Sequence, residues 1–244
     1  MDVRSILKKM PVAVNLLRKI ARRVSGGRAQ TEFPGSIDYW EQRYEMGGKS
    51  GVGSTGQFAQ FKADVINKFV RKHGVCSVIE FGCGDGDQLA LADYPEYLGC
   101  DISRTAINAC RARFSEDTTK SFILLQEYSG QRADLTLSLD VIYHLVEEEQ
   151  FSAHMERLFS ASKRFVIIYA SNSDDNSRNS SLHVHHRQFS RWIEENRSGS
   201  ALIEHIVNPF QYRGDHRTGS FADFYIYELP AVPSGSQTSA LSDA

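Results

Sequence analysis

The chain reads as an α/β protein on a doubly wound, mostly parallel sheet, and three observations carry that expectation. Short apolar runs alternate with amphipathic helical stretches between residues 58 and 170. One apolar run, Val78–Phe81, empties into the turn Gly82-Cys83-Gly84-Asp85-Gly86-Asp87. A second, Tyr97–Cys100, ends on the carboxylate of Asp101. Such a pair suits a nucleoside-containing ligand held at the ends of two neighbouring parallel strands.

Taken in order, the elements begin with an arm. Val3, Leu7, Met10, Val14, Leu17 and Ile20 recur at helical spacing with basic residues between them, and Pro11 interrupts the helix. Two readings stay open for residues 1–24: peripheral contact with an anionic membrane surface, or a loosely docked arm. Residues 25–32 are linker-like, so the chain divides into a basic arm and linker (1–32), a main domain (33–229) and a tail (230–244). The tail is rich in Pro, Ser, Gly and Ala and is expected to be disordered.

Within the domain, Phe58, Phe61, Val65, Ile66, Phe69 and Val70 mark one face of a helix ending near His73-Gly74. Strands are predicted at about 76–81, 97–101, 121–125, 134–139 and 164–170. Ser103 is placed to cap a helix whose Ala106, Ile107, Cys110 and Phe114 face inward. Phe151, Met155, Leu158 and Phe159 mark another helix, and Phe189, Trp192 and Ile193 a short one. Two last strands are read at Ala201–Val207 and Phe221–Leu229.

A length of 244 residues accommodates one large α/β domain with extensions. Charge is unevenly spread. Residues 1–30 hold eight Lys or Arg and one acid, Asp2; of 28 basic and 30 acidic residues in all, the rest keeps 20 and 29, a balance of −9. An acidic body argues against general nucleic-acid binding. Cys76, Cys83, Cys100 and Cys110 show no metal-ligand spacing and read as buried thiols of a reducing compartment.

The glycine turn narrows the ligand. A dinucleotide fingerprint starting at Gly82 needs glycine at position 87, where Asp87 stands, and Glu80 would repel a diphosphate. A cation fits both features. S-adenosylmethionine has a ribose for Asp101, no phosphate, and positive charge on its ammonium and sulfonium groups.

On these residues the chain resembles the class I S-adenosylmethionine-dependent methyltransferases, whose acidic residue and Gly-x-Gly-x-Gly motif reads here as Glu80, Gly82, Gly84 and Gly86. Their ribose-binding acid corresponds to Asp101. The resemblance spans about residues 36–229. It implies a seven-stranded Rossmann-like sheet with an antiparallel last strand, and a cofactor site including Cys83 and Ile102 beside the motif residues. It also implies that Glu127 and Tyr128 flank the adenine, with Trp40 and Arg43 on a covering helix. Arg43 would then pair with the methionine carboxylate, while the glycine-rich stretch 47–56 closes over the pocket.

For the chemistry, the candidates are Asp140, Tyr143 and His144, just after the fourth strand. His144 suits a base that removes a proton from a hydroxyl or protonated amine; a buried structural histidine is the rival reading. Asp140 is expected to orient the acceptor or the cofactor's methionine moiety, and Tyr143 to line the pocket. His183, His185 and His186 invite a metal reading, but no carboxylate or thiolate partners declare themselves, and no metal is expected. That segment reads either as a lid, with Arg187 or a histidine recognising an anion, or as a plain basic surface loop.

Tyr39-Trp40-Glu41-x-Arg43-Tyr44, His144-Leu145 and His186-Arg187-x-Phe189 resemble a bacterial subgroup whose members look like accessory enzymes of surface-glycan assembly. The resemblance thus implies a cytoplasmic O- or N-methyltransferase for a small-molecule or saccharide acceptor, and it would fit the peripheral inner-membrane reading of residues 1–24. Methylation of a protein, and a non-catalytic S-adenosylmethionine-binding partner subunit, are the alternatives. The missing Asn/Asp-Pro-Pro-Tyr signature argues against methylation of nucleic-acid bases.

Overall fold

The structure, a computed structural model, describes residues 33–177 and 181–230. The predicted arm and linker at 1–32 and the tail from 231 lie outside the described residues. Among the described residues, no helix is long and apolar enough to cross a membrane.

Seven strands form one sheet in the order β3-β2-β1-β4-β5-β7-β6. They are β1 (Ser77–Phe81), β2 (Glu96–Asp101), β3 (Lys120–Leu124), β4 (Ala133–Leu139), β5 (Ser162–Ala170), β6 (Ala201–Ile206) and β7 (Asp223–Glu228). Strands β1 to β5 pair in parallel, whereas β7 runs antiparallel to both β5 and β6. The five parallel strands fall within two residues of their predicted positions, because continuous apolar runs are what a sheet buried on both faces requires.

Among the described residues, five α-helices complete the fold: α1 (Ser36–Glu45), α2 (Gly56–His73), α3 (Arg104–Arg113), α4 (Glu148–Ser160) and α5 (Phe189–Asn196). Helix α2 stops at Gly74, which adopts the left-handed conformation (φ 56°) and returns its amide to the last turn. Ser103 caps α3 as predicted, its hydroxyl accepting from the Ala106 amide at 3.1 Å. Core layers of α2 (Ile66, Phe69, Val70), the parallel strands and α4 (Met155, Leu158) are almost wholly buried.

The order of the strands creates the site. From β1 the chain builds outward to β3, then returns to lay β4 on the other side of β1. At such a reversal the loops after β1 and β4 diverge and leave a crevice beyond the strand ends.

One cysteine departs from expectation. Cys83, Cys100 and Cys110 are buried, but Cys76 is exposed, because it precedes β1 at the opposite end of the sheet.

Candidate active site

The turn after β1 is held by its own packing. Gly82 (φ 91°) and Gly84 (φ 57°) occupy backbone conformations that side chains rarely adopt. A Cβ on Gly82 would lie 2.4 Å from Cγ2 of Val141, and one on Gly84 would lie 2.3 Å from Oγ of Ser50. Room for a ligand is therefore only part of the reason for glycine here; protein atoms already fill the space.

Asp101 ends β2 beside this turn, and the two are bonded. Its Oδ2 accepts from the Gly84 amide at 2.9 Å and its Oδ1 from the Ser103 amide at 2.9 Å. Burial raises its pKa, against the lowering effect of the Ser103, Gly84 and Ile102 amides. Each oxygen thus keeps acceptor capacity toward the crevice with its geometry fixed. Glu80 is buried behind them and accepts from the Tyr97 hydroxyl at 2.6 Å. Burial pushes its carboxyl up to about 7, opposed by the Tyr97 bond and the Lys62 charge.

These groups line a cleft of about 820 Å³ together with Trp40, Gly82, Cys83, Ile102, Asp140 and His144. Buried Gln88 also faces it; its Nε2 donates to the Ala59 carbonyl, while its Oε1 is buried without a partner. Two acceptor-bearing carboxylates and an orphaned amide oxygen match a ligand rich in donors and positive charge, as S-adenosylmethionine is.

The segment 47–56 is pinned to the turn. Ser50 donates its hydroxyl to Asp85 (2.8 Å) and its amide to the same carboxylate (3.2 Å), and the Tyr44 hydroxyl shares a 2.9 Å bond with Ser50. Asp87, the residue that breaks the dinucleotide pattern, holds Lys49 at 3.0 Å and Arg113 at 2.6 Å.

On the other wall, Asp140 has φ 60°, the one non-glycine residue with positive φ among the described residues. Its carboxylate accepts from Lys62 at 2.6 Å and from the Tyr143 hydroxyl at 2.7 Å. Lys62 is 1% exposed. Sequence reasoning missed this lysine, although its signal was present: it stands four residues after Phe58 and four before Ile66, on the apolar face of α2. Ser50 and Gln88 were missed too, and no sequence pattern marks them.

Beyond Asp140 opens a second cavity of about 920 Å³, sharing Trp40, Ser50, Ser54, Asp140 and His144 with the first. Arg43, Phe58, Tyr143, Tyr169, His183, His216 and Phe221 are among its other lining residues. The His144 Nδ1 bonds the His183 carbonyl at 2.9 Å, and its ring lies 4.8 Å from Trp40 and 5.5 Å from His183. Burial drives its pKa down to about 4, with the His183 carbonyl pulling the other way. A histidine so depressed is neutral at pH 7 but a weak base, which corrects the expectation of a base poised near neutrality.

Several predicted contacts fall elsewhere. Glu127 folds back to accept from the Leu124 amide at 3.0 Å, and the Tyr128 hydroxyl donates to the Gln131 carbonyl, so Leu125 reaches the cleft instead of either. Gly86 lies against Phe114 and Cys110, outside the cleft lining. Arg43 lines the second cavity and not the first, with its Nε on the Lys49 carbonyl at 2.7 Å. Arg187, expected to greet an anion, donates to the Leu145 and Val146 carbonyls (2.6 and 2.7 Å) and pairs with Glu148.

The three histidines of 183–186 diverge: His183 stacks on Tyr39, the His185 amide donates to the Tyr143 carbonyl, and His186 bonds Ser171. No group of three metal-ligating side chains occurs among the described residues.

Residues 79–167 match the methyltransferase domain family. A tRNA (carboxymethyluridine(34)-5-O)-methyltransferase of Arabidopsis thaliana is 30% identical over 104 residues, covering 41% of this chain and 26% of that protein. The chain thus spans about a quarter of the length of the curated relatives it matches. Among solved structures, N-methyltransferase NodS from Bradyrhizobium japonicum WM9, in complex with S-adenosylhomocysteine, superposes with TM-score 0.62 at 16% identity, over 80% of this chain and 98% of that one. Magnesium protoporphyrin IX methyltransferase (ChlM) from Synechocystis PCC 6803, also with S-adenosylhomocysteine, gives 0.58 at 17%, over 80% and 97%. Both are likenesses of fold. The domain match runs from β1 into β5, and the sheet order with this glycine turn is the fold of the class I S-adenosylmethionine-dependent methyltransferases.

Proposed function

We propose that the cleft between the β1 and β4 loops binds S-adenosylmethionine and that the adjoining cavity presents a small-molecule or saccharide acceptor for methylation at oxygen or nitrogen. One observation carries the reading: Asp101, anchored by backbone amides on both carboxylate oxygens, faces the cleft at the end of β2. Its remaining lone pairs suit the two ribose hydroxyls. Gly82, Cys83, Gly84 and Ile102 would bound the nucleoside, while Glu80 and Gln88 meet the cationic end. Trp40 covers, and Asp140 with Lys62 fixes the wall shared with the acceptor cavity.

Bound, the cofactor supplies an electrophilic methyl group; the chain supplies position and a dry chamber. Tyr143 sets Asp140, and neutral His144 is a packing and hydrogen-bonding wall. A saccharide acceptor is favoured by the glycan-assembly resemblance, with the cytoplasm as the place of reaction and the 1–24 arm as a peripheral membrane contact. A tRNA acceptor is a second reading, favoured by what the curated relatives are named for and opposed by the acidic body.

Calorimetric titration of S-adenosylmethionine and NAD into wild type and Asp101→Ala tests the proposal. Losing the ribose bonds should weaken S-adenosylmethionine by about ten- to a hundredfold, roughly 1.5–3 kcal/mol. Binding of NAD alone, or equal affinity in the variant, would sink it. Incubation with bulk tRNA and labelled cofactor decides the second reading by whether label enters the RNA.

A further inference from the structure

The second cavity indicates which chemical class of acceptor it takes. Four features converge. First, its one acidic lining residue, Asp140, is neutralised by buried Lys62 at 2.6 Å. Second, Arg43 lines the same cavity, and its charge helps depress both His144 and His183, after burial in each case. The chamber is therefore net positive before a sulfonium cofactor adds to it.

Third, two of the cavity's aromatic rings already carry the chain's own cations. Arg43 lies 5.4 Å from the centre of the Trp40 ring and Lys62 5.4 Å from that of Tyr169. An incoming ammonium would meet two resident positive charges. Fourth, the polar groups around the shared wall are committed. Asp140 is held by Lys62 and Tyr143, and the His144 Nδ1 by the His183 carbonyl. The His144 Nε2 is left to accept a proton, but on a ring that burial holds down to about 4, a weak base at pH 7.

We propose that the acceptor is a carboxylate on a small aromatic or sugar-acid body, methylated at oxygen to a methyl ester, with Arg43 holding its charge. This rests on the methyltransferase reading of the same site. The reaction then needs no base. A carboxylate oxygen attacks the methyl carbon, the carbon–sulfur bond breaks with its electron pair passing to sulfur, and the products are the ester and S-adenosylhomocysteine. No proton is released, whereas methylation of a hydroxyl or ammonium releases one.

The test uses the full chain loaded with S-adenosylhomocysteine, so that failure of cofactor binding registers separately as failure of the underlying reading. Phenylacetate and glucuronate are titrated by calorimetry at pH 7.5 beside phenylacetamide, 2-phenylethanol, 2-phenylethylamine and glucose. At least one acid should bind tenfold or more tightly than its uncharged counterpart, with the amine weakest. Arg43→Met should erase that preference and Arg43→Lys retain much of it, with S-adenosylhomocysteine affinity unchanged in both. With S-adenosylmethionine and the bound acid, a pH-indicator dye in weak buffer should register no proton per methyl transferred. Acids binding no better than neutral analogues, tighter binding of the amine, indifference to Arg43→Met, or one proton per methyl would each overturn the proposal. So would label entering bulk tRNA while no free acid binds.

Discussion

Glu80 shows how a single residue couples the cofactor to pH. Its carboxyl is buried, bonded to Tyr97, and pushed up to about 7, so near pH 6 it is largely protonated. Bringing a sulfonium and an ammonium into the adjoining cleft stabilises the ionised form. Cofactor binding should therefore release close to one proton at pH 6 and almost none above pH 8, with affinity rising between those limits. Calorimetry at pH 6 in buffers of different ionisation enthalpy reads that number directly. Glu80→Gln should bind several-fold more weakly and exchange no proton; an equal proton count in wild type and variant would show that another group titrates. Asp140 is a different kind of residue, whose left-handed backbone and two bonds hold its carboxylate rigidly. Asp tolerates that conformation better than most side chains, which makes the position compatible with a fixed wall between two cavities.

At the scale of elements, the glycine turn is a junction among four segments. Gly84 lies under Ser50 and the Tyr44 hydroxyl, and Asp85 and Asp87 tie the 47–56 segment and α3 to it. Gly84→Ala should cost about 2–4 kcal/mol, combining left-handed strain with overpacking against Ser50. Thermal melts should show the loss, and limited proteolysis should cut earlier within 47–56. Ser50→Gly in the same chain should restore part of the stability by removing the clash, though not the strain; no restoration would assign the whole cost to backbone conformation. Helix and strand positions were legible because apolar period reports which face is covered: Ile66, Phe69 and Val70 on α2, and Leu135, Leu137 and Leu139 on β4, are buried as that pattern requires. The glycine turn with Asp101 was legible because it is local. What escaped were contacts made across the fold. Lys62 meets Asp140 across 78 residues, and Arg187 meets Leu145 across 42. Glu127 looked adenine-facing from its place after β3, but a short turn swung it back onto the Leu124 amide. Such choices are set by which neighbour satisfies a polar group first, and sequence spacing carries no record of that.

For the whole molecule, charge and burial oppose one another in a way that fixes the pH response. An acidic body encloses a crevice whose second chamber is lined by Arg43, so long-range attraction and local recognition favour different partners: the surface disfavours polyanions, while on the carboxylate proposal the chamber would take a single small anion. Inside, His154 is buried and His144 half-buried, both without charge. His144 is held down to about 4 and His154, whose Nε2 bonds Ser138 at 2.8 Å, to about 3, in both cases chiefly by burial. Each folded pKa lies below the unfolded value of about 6.5, so the unfolded chain binds more protons as pH falls. Their contribution is complete above pH 6.5 and is lost progressively toward pH 3–4. Glu80 acts in the opposite sense, since its folded pKa is raised: its contribution is complete below the unfolded value of about 4.5 and is lost as pH rises through about 7. Two groups outweigh one on the acid side. Melting temperature without cofactor should fall steeply from pH 6 to pH 4 and decline only gently from pH 6 to pH 8. His154→Gln, which can still bond Ser138 but cannot charge, should flatten the acid limb and leave the neutral limb unchanged. Saturating S-adenosylmethionine should remove the gentle decline, because Glu80 ionises against the bound cation. An acid limb equally steep in the variant would place the sensitivity in other histidines whose pKa burial lowers, such as His183 and His186.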